Sequence, residues 1–244
     1  MPGKHISERE PQHPTSGQFL RDIVFGANDG VVTAIGFLVG FASSVSNQGV
    51  VVIAGALTIV AGAASMSLGN YLAVKSQKEH YDAMEKIERW EMENKPEAEV
   101  EEIREIYKNY GFDSQAVEIL TKKVTSDKEL WLKVMMRDEL QLTKEEAPAI
   151  AGVLIGAFYL LAGLPPLLPF VFFRPLTRAL VMSLIVAVLV MGLIGALRWW
   201  LNKGSFGSKV AETIAIGLVA AGIGFTAGEV LNLIGISGVG GIVA

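Results

Sequence analysis

Five apolar runs constrain this chain more than anything else in it, at about residues 22–44, 50–74, 148–172, 177–201 and 209–236. Each is nearly free of charge. Each is long enough, as a helix, to cross a hydrocarbon core about 30 Å thick. A single run of this kind could be a buried helix of a large soluble core. Several in one chain argue for a membrane instead. The expected fold is all-α: a polytopic membrane protein with five transmembrane helices.

The overall hydrophobic share of 51% hides a sharp division. Residues 75–146 hold 19 of the 25 acidic and 13 of the 21 basic side chains. The chain therefore reads as a polar tail expected to be disordered (1–20), spans one and two (21–76), a charged helical domain (77–146) and spans three to five (147–244). The second run has no stop signal at its polar end, so its helix is expected to continue through "KSQKEHYDAMEKIERWEMEN" to Pro96, which starts a new helix. Gly111 suits a helix C-terminus, Asp113 suits an N-cap, and Ser126 with Glu129 has capping-box spacing. Pro165, Pro166 and Pro169 should kink or break the third span, because each removes a backbone donor. Trp199 and Trp200 fit an interfacial belt.

Lys and Arg set the orientation. With the N-terminus inside, only Arg174 and Arg178 lie outside; the inverted choice would export the whole charged domain. The expectation is N-terminus cytoplasmic and C-terminus outside. The absence of an organelle signal points to a prokaryotic cell membrane. Gly26/Gly30 and Gly36/Gly40 permit close helix approach, and a homodimer packed through the first span is expected from them.

Several chemistries are excluded. There is no cysteine, hence no disulfide and no thiolate site, and His5, His13 and His80 are scattered. The charged segment alone carries 13 − 19 = −6, which favours cations and disfavours nucleic acid. No nucleophile constellation or cofactor loop marks an enzyme, and no prosthetic group is called for.

The acidic domain holds the first candidate site. Glu88 and Glu91 share one helix face; after the Pro96 turn, Glu99 and Glu102 share another. Helices joined so tightly should pack side by side and converge four carboxylates, whose repulsion a divalent ion relieves. "MMRDE" adds Met135, Met136 and Glu139 at helical spacings of four and three. Thioether beside carboxylate shifts preference toward a softer ion such as Fe²⁺. The simpler readings are a solvated acidic face and methionine core filler. A second candidate lies in the membrane: Asp29 of "GANDG" on span one, and Met66 with Asn70 on span two. An intramembrane carboxylate must face protein, water or a cation. Glu212 and Glu229 lie near the ends of span five.

"GANDGVVT", "AGAASMSLGNYLAVKSQ", the acidic helix pair and "MMRDEL", in this order, resemble the vacuolar iron transporter family from about residue 20 to 236. The resemblance implies a five-span homodimer with a cytoplasmic helical metal-binding domain. It implies export of Fe²⁺, often with Mn²⁺, in exchange for protons. It places soluble ligands on Glu88, Glu91, Glu99, Glu102, Met135, Met136 and Glu139, and the membrane pathway on Asp29 and Met66. One departure stands out: where the family usually has an acidic residue after the "SMxxG" stretch, this chain has Asn70, which carries no proton. Asp29, Glu212 and Glu229 are the substitutes. The expected partners are divalent metal ions, protons, membrane lipid and a second copy of the chain. The competing reading is a membrane-anchored acidic interaction or cation-sensing protein that moves no metal.

Overall fold

The computed structural model describes residues 17–143 and 147–234, which form helices and turns with no strand among them. In order they are α1 (Gly17–Ser44), α2 (Gln48–Asn94), α3 (Pro96–Asn109), α4 (Ser114–Thr125), α5 (Lys128–Val134), a π-helical turn (Met135–Glu139), α6 (Pro148–Leu167), α7 (Pro169–Phe172), α8 (Leu176–Asn202) and α9 (Phe206–Leu233). Five helical segments are long and apolar enough to cross a membrane. α1 begins at Gly17, within the segment expected as a tail, and residues 1–16 of that expectation lie outside the described part. The chain divides into two compact units, with boundaries at Tyr71/Leu72 and Pro148/Ala149.

The membrane unit is assembled on glycine. A Cβ at Gly26 or Gly30 would strike the carbonyls of Ile155 and Tyr159 on α6; one at Gly40 would strike the Gly224 carbonyl on α9. Gly152 and Gly156 bring α6 onto the Ser67 and Ala63 carbonyls of α2. The expected dimer surface on α1 is thereby corrected. Its glycine faces are consumed within the chain, and Val31, Ala34, Ile35 and Leu38 between them are fully buried. Around these contacts lie two apolar clusters, one centred on Tyr159 and Phe170, the other on Val31, Ala187 and Met191.

The prolines act later than expected. α6 continues through Pro165 and Pro166, interrupts at Leu168, and ends one helical turn further on at Phe172. Pro169 has no N–H for the Pro165 carbonyl, so Leu168 donates to it instead. Neighbours satisfy the freed acceptors: Ser183 Oγ donates to the Pro166 carbonyl at 2.6 Å, and buried Gln48 donates to the carbonyls of Phe170 and Phe173 at 2.6 and 2.7 Å. This is how a spanning segment tolerates consecutive prolines.

In the second unit the polar part of α2 stops at Asn94, and Pro96 opens α3 at its first helical position. Gly111, at φ +86°, closes α3, and Asp113 caps α4 by accepting from the Ala116 N–H at 2.8 Å. The expected capping box is displaced by one residue. Asp127 caps α5, accepting from the N–H groups of Glu129 and Leu130, while Ser126 ends α4 by donating to the Lys123 carbonyl. A carboxylate beside a hydroxyl is the stronger acceptor and takes the cap. The unit has its own core of Met92, Ile103, Val124, Trp131, Leu132, Val134, Met135 and Met136.

Candidate metal sites

The polar half of α2 supplies Glu88 and Glu91, α3 supplies Glu99 and Glu102, and the π-turn supplies Glu139. Glu88 and Glu99 are only 5% and 3% exposed. One oxygen of each is buried with no hydrogen-bond partner. Burial, and then the charges of Glu139, Glu99, Glu91 and Glu102, push Glu88 up to about 7. Burial, then Glu102, Glu91 and Glu139, push Glu99 to about 7 against the opposing charge of Lys95. Glu102 is raised by burial, Glu91 and Glu105, and Glu139 by loss of solvent around its carboxylate, then by Glu102 and Glu91. The five carboxylates therefore lie within one another's fields.

Pairing separates this group from an ordinary acidic face. Four of the outer acids are neutralised: Glu85 and Glu129 by Arg89, Glu101 and Glu118 by Arg104. Of the five inner ones, Glu91 pairs with Lys95 at 2.9 Å. Glu88, Glu99, Glu102 and Glu139 form no ion pair among the described residues. The same residues include no group of three Asp, Glu or His side chains arranged to hold an ion.

The methionines are not on a regular α-helix. From Met135 to Glu139 the helix widens to a π-turn, in which the Leu140 N–H donates to the Met135 carbonyl at 3.1 Å and the Leu142 N–H to the Met136 carbonyl at 2.9 Å. The expected spacings of four and three do not apply across it. Met135 and Met136 are 0% and 2% exposed, inside the apolar core of the unit. Exposed Arg137 pairs with Asp138, whose side chain is only 7% exposed. The extra residue of a π-turn re-aims the side chains that follow it, which is why such turns recur at functional sites.

In the membrane unit, Asp29 is half-buried on α1, and Tyr159 of α6 lies within reach of its charge while hydrogen-bonded to Thr33, one turn further along α1. Met66 packs against the cluster that contains Tyr159, whose hydroxyl lies directly over Gly62 of α2. Tyr159 thus joins the two expected pathway residues. It escaped the sequence reading, although it is the one side chain of α6 with a hydrogen-bonding group. Asp22 escaped as well. Beside Arg21 it passes for a flanking charge, yet it is 1% exposed, with Oδ2 lacking any partner. Asn70 Nδ2 is likewise buried without an acceptor. Glu212 is exposed and paired to Arg198 at 3.2 Å, and Glu229 is exposed.

The VIT family model matches residues 20–229. The chain is 32% identical over 234 residues to vacuolar iron transporter 1 of Arabidopsis thaliana, covering 93% of this chain and 92% of that protein. It is 31% identical to vacuolar iron transporter 2 of Oryza sativa subsp. japonica, over 90% of each chain. It is also 31% identical to protein CCC1 of Saccharomyces cerevisiae, over 83% of this chain and 66% of that one.

Proposed function

We propose that this chain, which belongs to the VIT family, carries Fe²⁺, and Mn²⁺ with it, out of the cytosol in exchange for protons. The observation that carries the reading is the inner carboxylate group. Five glutamates crowd together, two of them buried, while Glu85, Glu129, Glu101 and Glu118 around them are paired with arginine. Such a group is costly without a cation and favourable around one. Carboxylate oxygens alone favour Mg²⁺, Ca²⁺ or Mn²⁺; sulfur from Met135 and Met136 tilts the site toward Fe²⁺.

In this reading the acidic unit is cytoplasmic and captures the ion, and Asp29 with Met66 forms the membrane step. A carboxylate inside a span needs a mobile partner, metal or proton. With Asn70 unable to hold a proton and Glu212 engaged by Arg198, Asp29 is the group we assign to the exchange. The N-terminus is inside and the C-terminus outside, in keeping with the distribution of Lys and Arg. The functional unit is a homodimer.

The test is metal flux into proteoliposomes loaded with a metal-quenched dye. Asp29→Asn keeps shape and one oxygen but removes charge. We expect flux to fall at least tenfold while the protein elutes as the wild type does. Wild-type flux from Asp29→Asn would remove Asp29 from the pathway. No flux from the wild type with any divalent ion would leave the acidic unit as a sensor.

A further inference from the structure

Between the N-terminal part of α1, the end of α8 and α9, the membrane unit has an open cavity of about 420 Å³ that belongs to neither metal site. Its apolar lining is Leu20, Val24, Phe25 and Ile216, and its polar lining is Arg21, Asn28, Arg198 and Asn202. Two guanidinium groups lining one cavity make it a poor place for a metal cation and a good one for an anion.

Both arginines are held in place, and neither is used up. Arg198 gives one nitrogen to Thr213 Oγ1 at 2.9 Å and another to Glu212 at 3.2 Å. Arg21 gives Nε and Nη2 to a single oxygen of Asp22, at 3.3 and 3.1 Å. A guanidinium has five N–H donors, so each retains some for a ligand. The α8–α9 connection adds Lys203 and Lys209. The four cations against Asp22 and Glu212 leave 4 − 2 = +2 at this end of the unit. Trp199 and Trp200, on the last turn of α8, are 40% and 70% exposed, as residues at the level of lipid headgroups are.

We infer that this cavity binds an anionic phospholipid, with the phosphate between Arg21 and Arg198 and the acyl chain along Val24, Phe25 and Ile216. Paired arginines match a phosphodiester, and basic pockets between membrane helices take such headgroups. The apolar lining argues for lipid over free phosphate, which has nothing to place there. The lipid would tie α1 to the α8–α9 hairpin. It would also rest on Asn28, the residue before Asp29.

Native mass spectrometry of the full chain, in detergent with phosphatidylglycerol or phosphatidylcholine, tests this. The wild type should retain phosphatidylglycerol at least tenfold better than phosphatidylcholine. Arg21→Gln with Arg198→Gln should abolish the preference. Val24→Phe, which fills the apolar lining and keeps both charges, should lower phosphatidylglycerol retention by a similar factor and decides the matter if the arginine variant does not fold. Equal retention of the two lipids by the wild type, or unchanged retention in Val24→Phe, overturns the proposal. Inorganic phosphate forms the third arm. If it raises the melting temperature as much as phosphatidylglycerol does, the cavity is an anion site and the lipid assignment fails.

Discussion

Glu88 is where stability and function pull in opposite directions. Its ordinary value is 4.5, and the folded protein raises it to about 7, as it does Glu99. Each carboxyl thus binds its proton more tightly folded than unfolded. That contribution to stability is complete below about pH 4.5 and is lost as pH rises to about 7. A divalent ion replaces the proton, so the rise in melting temperature on adding Mn²⁺ should grow between pH 5 and 7 and level off above, a window that follows from the same two values. Glu88→Gln should stabilise the metal-free protein at pH 8 by on the order of 1–3 kcal/mol and weaken Mn²⁺ binding at least tenfold. A thermal melt and a calorimetric titration read the two effects, and a metal-free protein that is destabilised would refute the crowding. Met135→Leu with Met136→Leu keeps core volume, so stability should change by less than about 1.5 kcal/mol. Competition titrations should show Fe²⁺ losing its advantage over Mg²⁺. The spacing of Glu88/Glu91 and Glu99/Glu102 was legible in the sequence because helical periodicity is local. Which acids face inward was not, because that depends on where Arg89 and Arg104 reach across to other helices.

At the scale of the element, the π-turn is the feature with the most to lose. Deleting exposed Arg137 should let α5 continue in α-helical register and rotate Glu139 by roughly 100°, the angle of one helical residue. Helix content by circular dichroism should hold, and Mn²⁺ affinity should fall at least tenfold. Unchanged affinity would mean the wide turn is incidental. Most elements were readable: the run-on of α2, the break at Pro96, the Gly111 terminus and the Asp113 cap all follow from local chemistry. The π-turn was not, since "MMRDEL" is good α-helix sequence and its widening is settled by packing in the core. The α5 cap was misread because Ser126 and Asp127 both qualify by type, and the stronger acceptor, the Asp127 carboxylate, takes it. The prolines of α6 were misplaced in effect because their relief comes from Gln48 and Ser183, far away in sequence.

For the whole molecule, glycines differ by what faces them. A Cβ at Gly30 would enter the Tyr159 backbone, whereas one at Gly69 meets nothing within 4 Å. Gly30→Ala should cost about 1–3 kcal/mol or more, because backbone does not yield as side chains do. Gly69→Ala should be neutral or gain about 0.5–1 kcal/mol from helix propensity. Melting temperatures of the two variants give the comparison, and equal costs would contradict the packing. The same glycines show the reach of the sequence. It told that helices approach closely, and it could not tell whether the neighbour was another copy or α6 and α9 of the same chain.

α1 is gripped on two sides, backbone to backbone, by α6 at Gly26 and Gly30 and by α9 at Gly40. Contacts of this kind have no side chains to slide on. The helix that carries Asp29 is therefore a fulcrum rather than a lever. Around it the fit is softer: the glycines of α2 at 55 and 62 meet only the tips of Leu38, Leu167 and Tyr159, and Gly217 meets the end of Met191. On the transport reading proposed above, access to Asp29 would alternate by the swing of such tips about a carboxylate that itself stays still.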